Sequence, residues 1–289
     1  MMRWTRTTQY LGALGVAAIA IAAAAVFADA HDLFLRPKDF IVSPGSDVHV
    51  RVLNGTFSSS ESQVARLRLG DLSVVSDGQA VHPDTNTWTG GDKESAWHVR
   101  VGKPGTYLLG ASVRPNTIRL SGTDFNHYLR DDGLPDVLAA RRAAGTLDVA
   151  AHERYSKHVK ALVRVETAAT RRTPSSGDSS FARVLGYPAE IVPLADPYLL
   201  RPGASLDVRA LVDGAPVTGQ VVLAGGRTAK GARFPERMVR TDERGIARIP
   251  LRAAGVWYVK FINMRAVPAA AGDSVNYESK WATLTFAVR

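Results

Sequence analysis

Short runs in which apolar and polar residues alternate recur along this chain, and they limit it to a mostly β architecture. Val48-His49-Val50-Arg51-Val52 has period two, as do Val64-Ala65-Arg66-Leu67-Arg68-Leu69, Trp97-His98-Val99-Arg100-Val101 and Trp281-Ala282-Thr283-Leu284-Thr285-Phe286. Successive side chains of a strand point to opposite faces, so each run offers one face to a core and one to water. Gly, Pro, Asn, Asp or Ser bound each run. Short strands separated by turn residues at this spacing predict β-sandwiches of the Ig-like kind.

One pattern occurs twice. Ser43-Pro44-Gly45-Ser46-Asp47-Val48-His49-Val50-Arg51 aligns with Arg201-Pro202-Gly203-Ala204-Ser205-Leu206-Asp207-Val208-Arg209. A second echo pairs Pro104-Gly105-Thr106-Tyr107-Leu108-Leu109 with Ala254-Gly255-Val256-Trp257-Tyr258-Val259. The expected fold is therefore all-β, with two Ig-like β-sandwich domains over 31–166 and 188–289, joined by a linker over 167–187. The period changes between the halves. Leu134, Val137, Leu138 and Arg141 have helical spacing, opened by Pro135-Asp136 in a first-turn position. Ala151 to Lys160 is also helix-like, although His158 to Val165 fits a strand as well. A helical insertion is expected at about 124–160.

The chain has no cysteine, so disulfides, thiolate metal sites and cysteine nucleophiles are excluded. The formal charge is +9. The basic residues are scattered and alternate with apolar ones, as on a solvated sheet face, so no nucleic-acid partner is expected. Arg3 and Arg6 precede an apolar run from Leu11 to Ala28, and Ala28-Asp29-Ala30 is a small-x-small site. This predicts a signal peptide over 1–30, cut between Ala30 and His31, and a periplasmic or secreted protein. An uncleaved membrane anchor is the alternative. Cleavage there leaves His31 at the N-terminus, where α-amine and imidazole together can chelate copper, nickel or zinc.

Ala30-His31-Asp32-Leu33-Phe34-Leu35-Arg36-Pro37 resembles the opening of a family of exported bacterial Ig-like proteins of unknown function. That family was formerly described as the substrate-specific, NikM-like component of a nickel-uptake system. Phe125-Asn126-His127-Tyr128-Leu129, Arg141-Arg142 and Glu153-Arg154-Tyr155-Ser156-Lys157 are similar to its middle, and Tyr277 to Phe286 to its last strand. The resemblance spans about 30–289. It implies a periplasmic protein with a connection to nickel or cobalt.

With no cysteine present, histidine is the strong soft-metal ligand available. His49 and His98 alternate with apolar neighbours and are expected on exposed sheet faces, and His82 in a turn. His152 and His158 do not share a helical face. His127 lies in an irregular stretch near Asp124, which is the expected position for a second imidazole ligand beside His31. The competing expectation caps a helix with Asp124 and puts His127 on its first turn. No hydrolase or phosphate-loop motif is present, and Gly225-Gly226-Arg227 belongs to a hairpin. The expected function is non-enzymatic binding or uptake of nickel, cobalt or copper through His31 and His127, with a membrane transporter or envelope protein as partner. A metal-free Ig-like module that binds an envelope protein or glycan is the alternative.

Overall fold

Three of the four alternating runs form strands in a computed structural model that describes residues 31–172, 178–268 and 274–289; the run from Val64 instead makes a 3-10 turn at Arg66–Arg68 and meets a strand only at Leu69. The expected signal peptide lies outside the described residues. The first half contains β1 (Asp32–Pro37), β2 (Ile41–Val42), β3 (Asp47–Gly55), β4 (Leu69–Ser76), β5 (Gln79–Val81), β6 (Trp88–Gly90), β7 (Ser95–Arg100) and β8 (Gly105–Leu120). Helices α1 (Gly122–Asp131) and α2 (Pro135–Ala143) follow, then β9 (Ala151–Val165) and a short α3 (Ala168–Arg172). The second half contains β10 (Ala189–Pro193), β11 (Ser205–Val212), β12 (Ala215–Pro216), β13 (Val221–Arg227) and β14 (Arg233–Arg240). It ends with β15 (Ile246–Pro250), β16 (Gly255–Ala266) and β17 (Tyr277–Val288).

The repeated sequence corresponds to repeated structure. Gly45 and Gly203 both adopt positive φ, +79° and +96°, where a side chain would be strained. Their amides donate to Val101 and Leu251 respectively. The strands that follow then pair alike: Asp47 stands opposite Arg100, and Asp207 opposite Arg248. Each half thus faces a small sheet, β1-β3-β7-β6 or β10-β11-β15, towards longer strands.

The long strands of the two halves form one sheet, in the order β14-β13-β16-β17-β9-β8-β4-β5. They meet where β17 runs parallel to β9, with Tyr277 opposite Glu153 and Thr285 opposite Ala161. The expectation of two self-contained sandwiches therefore differs from the structure: each half has a small sheet of its own, but the large sheet is common. Val159, Ala161 and Val163 of β9 pack into the first core with Val50, Val52 and Trp97. Leu162 packs into the second, with Val208, Val259 and Leu284.

This position explains why residues 151–160 are a strand and not the expected helix. A strand buried on both faces has no outer polar face, so its alternation is lost. Helices occur earlier, at 122–143. Ser121 caps α1, its Oγ accepting from the Asp124 amide at 3.1 Å. Asp124 is therefore not the cap; it stands on the first turn of α1.

Arg141 holds the helices to the sheet. It is 3% exposed. It donates to Val149 O at 2.7 Å, Asn126 Oδ1 at 3.0 Å and Tyr277 Oη at 3.1 Å. Its guanidinium lies 4.9 Å from the Phe125 ring centroid. A lysine cannot reproduce this fork. Arg141→Lys is expected to lower stability by about 2 kcal/mol. Urea unfolding measures the loss, and faster amide exchange over 122–143 locates it. Among the described residues no helix is long and apolar enough to cross a membrane.

Candidate functional site

β1 carries the site. It pairs with β3 and lies across the large sheet, where Thr283 Oγ1 donates to Leu33 O at 2.8 Å and Thr285 Oγ1 to Leu35 O at 2.5 Å. These bonds fix the course of β1. His31 precedes it, on the wall between two clefts. The first, of about 360 Å³, is also lined by Asp32, Asp132, Arg227, Glu236 and Lys260. The second, of about 430 Å³, is lined by Asn54, Glu61, Arg68, Tyr155 and Lys157.

Two ammonium groups bracket His31. Lys157 Nζ, on β9, donates to the His31 carbonyl and to Asn54 Oδ1 at 3.2 Å. It lies 5.1 Å from the Trp281 ring centroid and 5.3 Å from that of Tyr155. Burial lowers its pKa to about 8, against the opposing pull of Asp32, Asp132 and Glu153. Lys260 Nζ, on β16, binds Asp32 Oδ2 and lies 3.4 Å from Asp132 Oδ1. Burial works against the Lys260 charge, yet the Asp32, Asp132 and Glu236 carboxylates hold its pKa above the ordinary range. Burial pushes Asp132 up to about 7, and the neighbouring Asp32 carboxylate adds to the effect. Asp32 Oδ1 is buried with no hydrogen-bond partner. Behind this layer, burial raises Glu153 to about 7, although Ser279 and Tyr128 hydrogen-bond it.

A carboxylate contacts the His31 ring. Its Nε2 lies 3.1 Å from Glu61 Oε2, on the loop after β3. A ring that donates from Nε2 to a carboxylate carries its lone pair on Nδ1. Nδ1 is the nitrogen that closes a small chelate ring with the residue's own α-nitrogen.

His127 is placed differently. It is exposed on α1 and lines neither cleft, whereas Asp131 and Asp132 at the end of the same helix do reach the first. Among the described residues no three His, Asp or Glu side chains gather into a group able to hold a metal ion. Three further histidines are engaged in hydrogen bonds. His82 Nδ1 lies 2.7 Å from Asp71 Oδ1, His152 Nδ1 lies 2.8 Å from Ser274 Oγ, and His158 is buried between Ser112 and Ser156. Sequence reasoning missed Lys157, Lys260, Asp32 and Asp132. The available signal was an unusual density of charge in segments that otherwise have strand composition.

A family model for a domain of unknown function, DUF4198, matches residues 28–265. The chain belongs to this family. No curated protein matches it. Among solved structures, the DUF4198 chain is similar to a DUF4785 family protein from Legionella pneumophila at 9% identity and a TM-score of 0.21. That match covers 77% of this chain and 49% of the other, so the DUF4198 chain spans about half the length of that protein.

Proposed function

We propose that this DUF4198 protein is an exported, non-catalytic carrier of a divalent transition metal, and that its mature N-terminus is the binding site. In this reading the signal peptide is removed between Ala30 and His31. The freed α-amine and Nδ1 of His31 then chelate the ion, and copper(II) or nickel(II) suits such nitrogen ligation. The observation that carries the reading is the contact of His31 Nε2 with Glu61. A carboxylate on the outer nitrogen of a metal-binding imidazole fixes its tautomer and raises its basicity.

The charges around the site limit its donor set. Asp32 and Asp132 already neutralise Lys260, so they are poor candidates for direct ligation. The buried Asp32 Oδ1 still lacks a donor, which a metal-bound water or the new α-amine would supply. Lys157 holds the His31 carbonyl and so sets where the amine points. The resemblance to a NikM-like component favours nickel and a membrane transporter as the receiving partner. His127, exposed on α1, is left outside the chelate.

Titration calorimetry with copper(II) and nickel(II) on the mature protein tests the reading. Binding is expected to fall at least about 100-fold in His31→Ala, and about 10–100-fold in Glu61→Gln, the range typical of lost outer-shell partners. His127→Ala should bind as wild type. Affinity should weaken at acid pH, because protons compete with the ion for the imidazole and amine nitrogens. Equal binding by wild type and His31→Ala, or an exported protein that retains residue 1, would overturn the proposal.

A further inference from the structure

The small sheet of the first half carries a second arrangement of nitrogen ligands, away from the N-terminus. His49 on β3 and His98 on β7 are directly opposite each other in the antiparallel register. Their ring centroids are 4.9 Å apart with an interplanar angle of 66°. We propose that this cross-strand pair is a second binding site for a divalent transition metal, held by the two imidazoles and completed by water.

The distance carries the argument. Metal–imidazole bonds are about 2.0–2.1 Å long. A ring nitrogen stands about 1.1 Å from its own centroid, so two rings sharing one ion at bond angles of about 90–110° have centroids about 4.5–5.2 Å apart. The observed separation falls in that interval before any ion is bound. The backbone beneath is fixed. Val48, Val50, Trp97 and Val99 flank the two histidines and are all buried. β3 and β7 are the two inner strands of their sheet, so neither is free to slip.

The electrostatics limit the affinity without preventing binding. Lys38 and Arg51 oppose a cation, while Glu94 favours one and is engaged by Arg51 at 2.7 Å and 2.6 Å. Two positions along the ladder, and so on the same face, Asp47 pairs with Arg100 at 2.9 Å, and both side chains are largely exposed. An exposed ion pair of this kind is worth little, so its carboxylate can turn towards an ion beside His98 at small cost. Two imidazoles are fewer than the three protein ligands of catalytic zinc sites, and the site is one for capture, not for hydrolysis.

The test uses the mature chain carrying His31→Ala, so that the N-terminal chelate does not contribute. Zinc(II) and nickel(II) are titrated separately, followed by calorimetry and by the imidazole NMR signals. One ion per chain is expected to bind with a Kd of tens of micromolar, with both rings shifting together. His49→Gln and His98→Gln are each expected to weaken binding at least 10-fold while leaving the unfolding midpoint without metal unchanged. Saturable binding that survives both substitutions would overturn the proposal. So would its absence at millimolar metal in a protein whose two histidine signals titrate independently, which would mark the pair as ring packing alone.

Discussion

Replacing Lys160 by methionine is expected to cost about 3–5 kcal/mol, the range found when one partner of a buried ion pair is removed. Lys160, on β9, is 2% exposed, and its ammonium binds Glu190 on β10, which is 1% exposed. Glu190 also accepts from the amides of Leu185 at 2.9 Å, Gly186 at 2.7 Å and Tyr187 at 2.9 Å. The pair thus pins the small sheet of the second half to the shared sheet. Methionine fills a similar volume but leaves the carboxylate buried without its counter-charge. For a chain of this size the loss corresponds to a fall in Tm of roughly 10 °C. Lys160→Met combined with Glu190→Gln should recover part of it, because the stranded charge is gone. Urea unfolding of the two single variants and the double variant reads the coupling. Additive losses would show that the pair has no special role.

Glu153→Gln is expected to stabilise the protein increasingly as pH rises from about 4.5 to 7, and fully above that. Glu153 is 1% exposed, and its Oε2 has no hydrogen-bond partner. Burial raises its pKa from 4.5 to about 7. The folded state therefore holds a proton that the unfolded state releases between about pH 4.5 and 7, and stability falls as pH rises through that window. At pH 8.5 the full penalty, about 3 kcal/mol, is present. Glutamine removes the charge and keeps one oxygen to accept from Ser279 and from Tyr128, which lies 3.2 Å from the native carboxylate. A rise in Tm of several degrees at pH 8.5 with almost none at pH 5 is the expected result. The same change at both pH values would mean that the carboxyl is already charged in the fold.

Much of the architecture was legible because it rests on local pattern. Three of the four period-two runs became β3, β7 and β17, and the two Pro-Gly motifs became equivalent turns feeding equivalent strands. Pro135 and the spacing of Val137 and Leu138 located α2 correctly. What failed was β9. Glu153, Lys157, Lys160 and Arg164 look like the polar stripe of a helix when read alone. Each is buried in the fold because partners from distant segments satisfy it: Ser279, the His31 carbonyl, Glu190 and Thr106. No local period encodes such partners. The site was legible only in part for the same reason. His31 stood out through the residues before it, but Glu61 and the two lysines are brought to it by strand pairing. His49 and His98, each an unremarkable outward-facing residue in its own run, become neighbours only through register.

The parallel pairing of β17 with β9 has a consequence for the order in which the molecule can be completed. β17, beside the middle of the large sheet, comes last in the chain among the described strands. Until it arrives, β9 presents a long open edge of unpaired amides and carbonyls, with hydrophobic side chains on both sides. Such an edge is a template for other chains. Pairing partners so far apart in sequence also close slowly. The first half therefore cannot be finished while it waits for the second. A nascent chain needs something to shield β9, or needs to remain unfolded until β17 is available.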